Sequence, residues 1–407
     1  MNADKTILIL GGGVGGIVTA KRLRHLLDRR HRLVVVERHT EHVFAPSLLW
    51  LMTGRRRADD ITRPLRGLLD PGVELIQAEV VAIVPDEKIV RTSSGDLPYD
   101  YLVVALGAEL APDVLPGFSA AAQSFFDLEG ARALWSDVQG FDGGRVAVLV
   151  SSMPYKCPAA PYEAALLLED ALRRRGVRDR CRIDVYTPEP LPMPVAGAAM
   201  GQAVVRMLAA KGIDFHPNLQ VTAVDAASRE LVFKDAPRAG FELLAGVAPH
   251  RAPQVIRESP LASESGWITV DKHTLQTEHA DVYAIGDVTA IRLFNGKMLP
   301  KAGVFAHGEA LVVADRITAA IEDREPHAEF EGLGYCWIEA GGGSAGFANG
   351  DFYAEPDPDV GLPKSGRMWH LGKVLFERYW LSQGPERSVA RLGLRLGALV
   401  SGIPAEV

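Results

Sequence analysis

Residues 6–27 read TILILGGGVGGIVTAKRLRHLL, and this stretch decides the fold. A short apolar strand leads into a run of glycines, and a helical pattern of apolar residues follows the glycines. Gly11 permits a tight turn, Gly13 leaves room for a pyrophosphate beside the backbone, and Gly16 lets the helix pack closely on the strand. The spacing GxGxxG between a strand and a helix therefore predicts a dinucleotide-binding unit.

The next apolar strand, residues 33–36, ends in an acidic residue. Glu37 follows this strand at about 20 residues beyond the glycine run. A carboxylate at this position accepts hydrogen bonds from the ribose of a bound dinucleotide. We therefore expect Glu37 and the adjacent Arg38 to contact a cofactor, and the whole unit to form a Rossmann-like domain.

Two later segments are expected to return to this first unit. Residues 97–108, LPYDYLVVALGA, read as a strand that ends beside the nucleotide at Gly107. The segment ADVYAIGDV reads as a strand running into Gly286 and Asp287, and an acid there can hydrogen-bond the ribityl or phosphate part of a flavin. Lys301 precedes a helix expected from about residue 308 to 321, where a cation and a helix N-terminus could stabilise a reduced flavin ring.

A second strand–turn–helix unit lies at residues 145–163, which read RVAVLVSSMPYKCPAAPYE. The turn after the strand contains no glycine, three prolines and one cysteine, Cys157. Because a pyrophosphate needs close approach to free backbone N–H groups, this turn suits a second dinucleotide poorly. The next strand is followed by Tyr186-Thr187-Pro188 rather than by an acid. We interpret this place as a nicotinamide site given over to thiol chemistry, and expect Lys156 to lower the pKa of Cys157.

Composition bounds the functions that are open to the chain. Its 407 residues have an apolar fraction of 47% and a charged fraction of 23%, as in an ordinary globular protein of two or three domains. A formal net charge of -7 argues against nucleic acid as the main partner. The three cysteines, Cys157, Cys181 and Cys336, are too few for a disulfide scaffold, and no cysteine or histidine cluster indicates a metal site. We expect Cys181 to be an ordinary packed thiol.

The predicted fold class is α/β, with two Rossmann-like dinucleotide-binding domains and a C-terminal domain of strands and amphipathic helices. The first domain is split in sequence and comprises residues 1–110 and 266–321. Residues 111–265 form the second, in which a cysteine loop replaces the nicotinamide site. Residues 322–407 form a redox and membrane-interaction region. No charged-then-apolar leader and no run of about 18 apolar residues occurs, so neither a cleaved signal peptide nor a membrane-spanning helix is expected.

Two segments each admit two interpretations. Residues 44–54, FAPSLLWLMTG, together with three arginines after them, are either a buried connection with a solvated basic edge or a segment that faces the cofactor or a quinone. The last helical pattern has arginines on one face and apolar residues on another, namely Val389, Leu392, Leu396, Leu399 and Val400. Such a helix suits a membrane surface, or else packs on the core or on a second copy of the chain.

The chain resembles the two-dinucleotide-domain flavoprotein disulfide reductase superfamily over nearly its whole length. The residues that carry this resemblance are the glycine run, Glu37, residues 99–108, residues 284–288 and Lys301. Within the superfamily, the cysteine loop YKCPAAPYE, the segment PKAGVF at 300–305 and Cys336 are similar to sulfide:quinone oxidoreductases and to the flavin subunit of flavocytochrome c sulfide dehydrogenases. The cysteine loop is the specific part of the match.

This resemblance implies a redox pair, Cys157 and Cys336, on one side of an FAD. It places Glu163 at the family's acidic position after the cysteine loop. Some members attach FAD through a cysteine, but no cysteine occurs between Met1 and Lys156, so we expect FAD to be bound without a covalent link.

The implied function is that of an FAD-dependent sulfide:quinone oxidoreductase. Hydrosulfide would be oxidised to polysulfide or sulfur through the cysteine pair, and two electrons would pass via FAD to a membrane quinone. The implied partners are hydrosulfide, a quinone and a membrane surface, with no nucleic acid, and homo-oligomerisation stays open. The implied location is peripheral, monotopic attachment to the cytoplasmic membrane.

Three alternative functions stay open. One is a sulfide dehydrogenase flavin subunit that passes electrons to a cytochrome. Another is a type II NADH:quinone oxidoreductase, which the glycine-free turn opposes. The third is a flavin-bearing binding or signalling protein without turnover.

Overall fold

The computed structural model describes residues 3–362 and 365–401, with the side chains of 399–401 outside the description. The principal strands, in chain order, are β1 (Thr6–Leu10), β2 (Arg32–Glu37), β3 (Val73–Gln77), β4 (Tyr101–Val104), β5 (Gln123–Ser124), β6 (Gly144–Val150), β7 (Cys181–Tyr186), β8 (Ile213–His216), β9 (Leu243–Val247), β10 (Val282–Ala284), β11 (Leu333–Gly341), β12 (Ser344–Asp351) and β13 (Asp359–Gly361). The longer helices are α1 (Val14–Leu26), α2 (Leu128–Gly140), α3 (Ala160–Arg174), α4 (Ala198–Ala209), α5 (Gly303–Ile321), α6 (Arg367–Leu381) and α7 (Gly384–Ser401).

Shorter elements connect these. The short strands are Glu41–Val43, Thr62–Pro64, Val80–Val84, Ile89–Thr92, Gly95–Pro98, Glu109–Leu110, Val221–Asp225, Glu230–Phe233, Ala239–Gly240, His250–Arg251, Ile268–Thr269 and Thr289–Ala290. The short helices are Leu48–Leu51, Ala58–Ile61, Leu65–Leu68, Phe118–Ala121 and Gln254–Arg257.

Two five-stranded parallel sheets form the core of the molecule. The first has the order β10-β4-β1-β2-β3, and the second has the order β5-β9-β6-β7-β8. Their central strands are buried along nearly their whole length, which explains why they read as continuous apolar runs rather than as alternating patterns. Ligands of such sheets bind beyond the carboxyl ends of the strands. The predicted α/β fold class is confirmed.

The carboxyl ends of three strands supply the predicted site segments. Strand β1 runs into the glycine turn, β10 runs into Gly286, and β6 runs into residues 151–159, which we name the cysteine loop. A parallel bridge joins Lys156 of this loop to Lys301, just before α5. The cysteine loop of the second sheet therefore lies directly against the segment that precedes α5.

One strand and two helices begin or end at residues other than those predicted. The strand expected over residues 97–108 is two strands, Gly95–Pro98 and Tyr101–Val104, because the carboxylate of Asp100 turns to bind the backbone N–H of Thr6 (2.8 Å). Helix α5 begins at Gly303, several residues earlier than expected. The final helix begins at Gly384 rather than near Val389.

Residues 44–57 are a buried connection, and their basic edge is mostly paired rather than solvated. Residues 48–52 are buried, and residues 48–51 form a short helix instead of a loop. Arg55 pairs with Asp170 at 2.5 Å, and Arg56 pairs with Glu377 at 2.7 Å. Arg57 alone of the three arginines is largely exposed.

The C-terminal part is an antiparallel sheet and a helix pair. Strands β11, β12 and β13 pair in that order, and α6 packs against α7. Strand β11 lies on α3, the helix that follows the cysteine loop. None of the helices in the described part of the chain is both long and apolar enough to cross a membrane.

Adding one methyl group at Gly16 should disrupt the first domain. A Cβ at this position would lie 1.9 Å from the carbonyl oxygen of Gly11, so the strand and helix would have to separate. We expect Gly16→Ala to lower the free energy of unfolding by roughly 3 kcal/mol and to weaken cofactor retention, as measured by thermal unfolding and flavin absorbance. Gly140→Ala, where no atom lies within 4 Å, is the control. Equal stability of the two variants would contradict the close packing.

Candidate active site

The cysteine loop holds Cys157 in an unusual backbone conformation. Its φ is +54°, in the left-handed region that residues other than glycine rarely adopt. Its N–H donates to the carbonyl of Lys301 at 2.6 Å, and its carbonyl accepts from the N–H of Ala160 at 2.9 Å. Cys157 is thus fixed between the segment before α5 and the first turn of α3.

The tail sheet brings Cys336 to the same place. Strand β11 is joined to α3 because the backbone N–H of Glu339 donates to Oε1 of Glu163 at 2.8 Å. Cys336 lies on β11, and the charge of Cys157 raises its pKa, as expected of two neighbouring thiols. Both are free thiols and both are partly buried. Cys181 lies elsewhere, at the start of β7, where its thiol donates to Val177 O at 3.2 Å.

Burial makes both site thiols weak acids. It raises the pKa of Cys157 to about 12, with the charge of Glu163 acting in the same direction. Burial also raises the pKa of Cys336 well above its usual range. The thiolate, not the thiol, is the nucleophile, so the position of a nearby cation decides how reactive each cysteine is.

The expectation that Lys156 lowers the pKa of Cys157 is wrong. The cation that does so is Lys373, on α6. The ammonium of Lys156 instead lies 6.0 Å from the ring centroid of Phe126. Adjacency in sequence therefore does not decide which cation acts most strongly on the thiol.

Glu163 and Lys373 form a buried ion pair beside the thiols. Nζ of Lys373 lies 2.9 Å from Oε1 of Glu163, and their side chains are 5% and 3% exposed. Burial lowers the pKa of Lys373, but the charges of Glu163 and Glu339 outweigh burial and raise it. Next to this pair, Nδ1 of His370 lies 2.9 Å from Oε2 of Glu339.

Sequence reasoning missed three members of this group: Glu339, His370 and Lys373. A single lysine or histidine in an amphipathic helix carries no motif, and helices of this kind place such residues in solvent far more often than in a core. Only the contact between α6, β11 and α3 reveals their role. The spacing of His370 and Lys373 by one helical turn puts them on one face, but nothing in the sequence says what that face meets.

The glycine turn after β1 is shaped for a phosphate group. A Cβ at Gly11 would lie 2.4 Å from the carbonyl oxygen of Ala105, so the turn needs glycine there, where φ is +107°. Gly13 is exposed, and no atom lies within 4 Å of its Cβ position. This open backbone sits at the N-terminus of α1, where anions bind favourably.

Glu37 supports this turn from the end of β2. Its Oε2 accepts the N–H of Gly12 at 2.7 Å, and its Oε1 accepts the N–H of His39 at 2.9 Å. Each oxygen keeps a lone pair for a ribose hydroxyl. Arg38, in contrast, is largely exposed, and its Nε donates to Nε2 of His39 at 3.1 Å.

The segment after β10 carries an unpaired buried acceptor. Oδ1 of Asp287 is shielded from solvent and has no hydrogen-bond partner among the described residues. Burial raises the pKa of Asp287, while the charges of Lys156 and Lys301 lower it. An acceptor left in this state fits a bound hydroxyl donor, because an unsatisfied buried polar group is costly. Gly107, the remaining predicted residue here, has φ of +70° and open space at its Cβ position.

Lys301 holds the segment at Asp287 in place. Its Nζ donates to the carbonyls of Asp287 (2.7 Å) and Thr289 (2.9 Å) and lies 3.5 Å from the ring centroid of Trp267. Burial lowers the pKa of Lys301 to about 8. Nearby, Oε2 of Glu309 accepts the N–H of Gly286 at 2.6 Å, and burial raises the pKa of Glu309 to about 7.

The expectation that no acid follows β7 is wrong, because Glu189 lies three residues beyond the strand. Its Oε2 accepts the hydroxyl groups of Tyr155 and Tyr162, which lie on either side of Cys157. The position where a ribose would meet an acid is therefore filled by the protein's own side chains.

The family model of the pyridine nucleotide-disulphide oxidoreductases matches residues 5–310, which is most of the chain. The chain belongs to the pyridine nucleotide-disulphide oxidoreductase family. Its members bind FAD, and the open glycine turn and the unpaired Asp287 oxygen fit that cofactor. This chain is therefore an FAD-dependent oxidoreductase.

Similarity extends to individual members. The sulfide-quinone reductase of Aquifex aeolicus is 27% identical, with 93% of this chain and 90% of that protein covered. The mitochondrial sulfide:quinone oxidoreductase of Mus musculus is 26% identical, over 86% of this chain and 79% of that protein. The X-ray structure of the sulfide:quinone oxidoreductase from Aquifex aeolicus matches with a TM-score of 0.84 at 26% identity, covering 96% of this chain and 92% of that chain. The resemblance inferred from the cysteine loop is confirmed.

The part of the chain that the structure describes contains no group of three His, Cys, Asp or Glu side chains placed to hold a metal ion. The acidic side chains near the thiols are engaged by lysine, histidine and backbone N–H groups instead.

The buried position of Cys157 predicts the pH dependence of its reactivity. With a pKa of about 12, its thiolate fraction should rise about tenfold for each pH unit between pH 7 and 10, without a plateau. The measurement is the rate of iodoacetamide alkylation of the reduced protein, followed at Cys157 by mass spectrometry. A free cysteine peptide, whose rate levels off above about pH 8.5, is the reference. A plateau for Cys157 below pH 9 would contradict the assignment.

Proposed function

We propose that this protein is a sulfide:quinone oxidoreductase in which Cys157 and Cys336 form the redox pair. The observation that carries the proposal is the hydrogen bond by which β11, the strand of Cys336, is held at Glu163 on α3, the helix that follows Cys157. Support comes from the influence of Asp287 on the pKa of Cys157 and from the hydrogen bond between Cys157 and Lys301. The relatives named above act on sulfide and quinones.

The proposed sulfur chemistry balances as a thiol–disulfide exchange. Hydrosulfide attacks one sulfur of the oxidised Cys157–Cys336 pair; a new S–S bond forms as the bond between the cysteines breaks. One cysteine becomes a persulfide, and the other leaves as a thiolate. Release of the added sulfur as polysulfide or sulfur leaves both cysteines reduced, and the disulfide between them re-forms when the pair gives up two electrons, which FAD, when bound, would carry to a quinone. Over the cycle, sulfide loses two electrons and a quinone gains two electrons and two protons.

Lys373 and Glu163 are proposed to support the thiolate stage. The charge of Lys373 favours a thiolate at both cysteines, whereas the charge of Glu163 disfavours it. Because the two side chains are ion-paired, a shift of a proton onto Glu163 would leave the lysine charge uncompensated and free to stabilise the thiolate. In this proposal Glu163 is the proton acceptor beside the cysteine sulfur that hydrosulfide attacks.

FAD, when bound, supplies the two-electron transfer between the sulfur pair and the quinone. The residues proposed to hold it are Gly11, Gly13, Gly16, Glu37, Gly107, Gly286 and Asp287; Gly13 and Gly107 leave open space, and Glu37 and Asp287 offer acceptor oxygens. Lys301 is proposed to act by fixing the Asp287 segment. Arg38 is assigned to the edge of the site, because its side chain lies at the surface. The cofactor is proposed to be bound without a covalent link.

The quinone is proposed to meet an aromatic cluster beside Cys336. This cluster comprises Tyr335, Trp337, Phe347, Trp369 and Phe376. The Trp337 and Phe376 rings stack at 5.4 Å, and the Phe347 and Trp369 rings stack at 4.9 Å. Stacked aromatic faces accept a flat, apolar ring, and the cluster lies where β11 meets α6.

The second nucleotide site is proposed not to serve NADH. The cysteine loop lacks the turn glycines, and Glu189 is occupied by two tyrosine hydroxyls. This weighs against a type II NADH:quinone oxidoreductase. It leaves the sulfide dehydrogenase flavin subunit as the alternative that shares the cysteine pair, distinguished by a cytochrome as electron acceptor.

Replacing either site cysteine should abolish turnover. We expect Cys157→Ser and Cys336→Ser each to retain FAD and to lose sulfide:quinone activity by about a thousandfold, because either change breaks the exchange. The assay is anaerobic bleaching of flavin absorbance by sulfide, followed by recovery on addition of a quinone.

Cys181→Ser is the matched control and should behave like the wild type. NADH should not bleach the flavin at micromolar concentration. Rapid bleaching by NADH, or full activity of either site variant, would overturn the proposed function.

Attachment to a membrane surface is proposed for the helix pair. Five large apolar side chains on α6 and α7 are more than half exposed: Met368, Leu371, Val389, Leu392 and Leu396. Arg391 and Arg395 are also exposed on α7. The predicted face also included Leu399 and Val400, whose side chains lie outside the described residues. An apolar stripe flanked by arginines suits the interface of an anionic bilayer.

Removing part of this apolar stripe should weaken membrane binding. We expect the triple substitution Val389→Ser, Leu392→Ser, Leu396→Ser to lower binding to anionic liposomes by about tenfold or more, since each buried side chain contributes roughly 1.5 kcal/mol or more. Cosedimentation measures binding, and sulfide-driven flavin bleaching should persist. The control replaces Val81 and Val114, which are equally exposed but lie in the two-sheet part of the chain. Equal loss in the control, or no binding by the unaltered protein, would refute the surface.

A further inference from the structure

A buried carboxylate lies beneath the cysteine loop. Glu189 is 1% exposed, and its Oε2 accepts the hydroxyl groups of Tyr155 (3.0 Å), Thr187 (3.0 Å) and Tyr162. Thr187 belongs to the same turn as Glu189. The two tyrosines are also buried and lie two residues before and five residues after Cys157. One carboxylate oxygen therefore ties together both ends of the segment that carries the reactive thiol.

Burying the Glu189 carboxylate costs free energy. Burial disfavours the charged carboxylate and raises the pKa of Glu189, although the three hydroxyl donors act against that effect. A buried polar group of this kind contributes little to stability compared with well-packed apolar side chains. The three hydroxyl donors that converge on one carboxylate oxygen instead fix the orientation of the two tyrosine rings.

The cysteine loop needs such a constraint. A residue other than glycine rarely adopts a left-handed backbone, and this backbone persists only where the surroundings enforce it. Direct backbone bonds hold Cys157 at Lys301 and Ala160. The loop contains Pro154 and Pro158, which lack backbone N–H donors that could otherwise anchor it. The hydroxyl groups of Tyr155 and Tyr162 link the loop to the turn after β7, beside the bonds from Ser151 to the carbonyl of Val247 on β9.

We propose that Glu189 is a positioning residue that clamps the cysteine loop through Tyr155 and Tyr162, and so keeps Cys157 buried in its left-handed conformation beside Cys336. In a dinucleotide site, the acid after the second strand takes ribose hydroxyls. Here the same place takes tyrosine hydroxyls from the chain itself. The inference deepens the proposed function, on which it rests for the redox role of Cys157.

The test compares two buried acids of the same region. Glu189→Gln weakens the clamp, because an amide is a poorer acceptor than a carboxylate for three hydroxyl groups. Asp184→Asn is the matched control: Asp184 is 2% exposed, lies on β7, and is bonded to His216 and Arg182 rather than to the cysteine loop. The readout is the iodoacetamide alkylation rate of each cysteine in the reduced holoenzyme, followed by mass spectrometry. It requires neither sulfide nor quinone.

We expect Glu189→Gln to raise the alkylation rate of Cys157 by about tenfold, the equivalent of about 1.4 kcal/mol of lost protection, and to leave the rate at Cys181 unchanged. In turnover, kcat/KM for sulfide should fall by a similar factor, and KM for the quinone should not change. Asp184→Asn should match the wild type at Cys157. Tyr155→Phe and Tyr162→Phe, which each remove one hydroxyl and keep the ring, should give intermediate rates.

Three outcomes would overturn the clamp. These are an unchanged rate at Cys157 in Glu189→Gln, an equal rise at Cys157 and Cys181, which would indicate general loosening, and an equal rise in Asp184→Asn. Should Glu189→Gln fail to fold, wild-type rates at Cys157 in both tyrosine variants would have the same meaning. Absence of sulfide activity in the wild type would instead remove the proposed function and leave the alkylation result standing.

Discussion

The buried carboxylate of Glu163 is the contact on which the site depends. Its Oε1 binds both the ammonium of Lys373 and the backbone N–H of Glu339, so that one atom joins α3, α6 and β11. An unpaired charge at this depth would cost several kcal/mol, so these elements must dock together or not at all. Their docking is what carries Cys336 to the cysteine loop, and the sulfur site is therefore a product of the tail as much as of the two sheets.

The same burial sets the chemistry of the thiols. Both cysteines are held as weak acids, and the cation that opposes this effect is shared with Glu163. A site of this kind keeps its thiols protonated and protected until a change in the ion pair or in an attached sulfur shifts the balance. Both thiols are partly buried, and their pKa values follow this burial together with the surrounding charges.

The tail also reaches the cofactor turn. The indole N–H of Trp380 on α6 donates to Nε2 of His42 at 2.9 Å, and Nδ1 of His42 lies 3.1 Å from the carbonyl of Gly12. Burial lowers the pKa of His42, which keeps the ring neutral, with one nitrogen as donor and the other as acceptor. Glu377, one turn before Trp380, binds Ser47 and Arg56 of the first domain. Helix α6, one of the two helices proposed to sit on a membrane, is thus connected to the glycine turn by two short hydrogen bonds through His42.

The sequence by itself determined the two parallel sheets, the glycine turn and the cysteine loop, because periodicity, glycine spacing and proline content act locally along the chain. It also marked Glu163 through a family resemblance. Only the tertiary structure decided which cation faces the thiols, since Lys156 is adjacent in sequence but points away, whereas Lys373 arrives on a distant helix. Glu189 was overlooked in the sequence for the same reason: only the folded chain brings it to the hydroxyl groups of Tyr155 and Tyr162. Electrostatic partners are chosen by distance in space, and a single sequence records distance only along the chain.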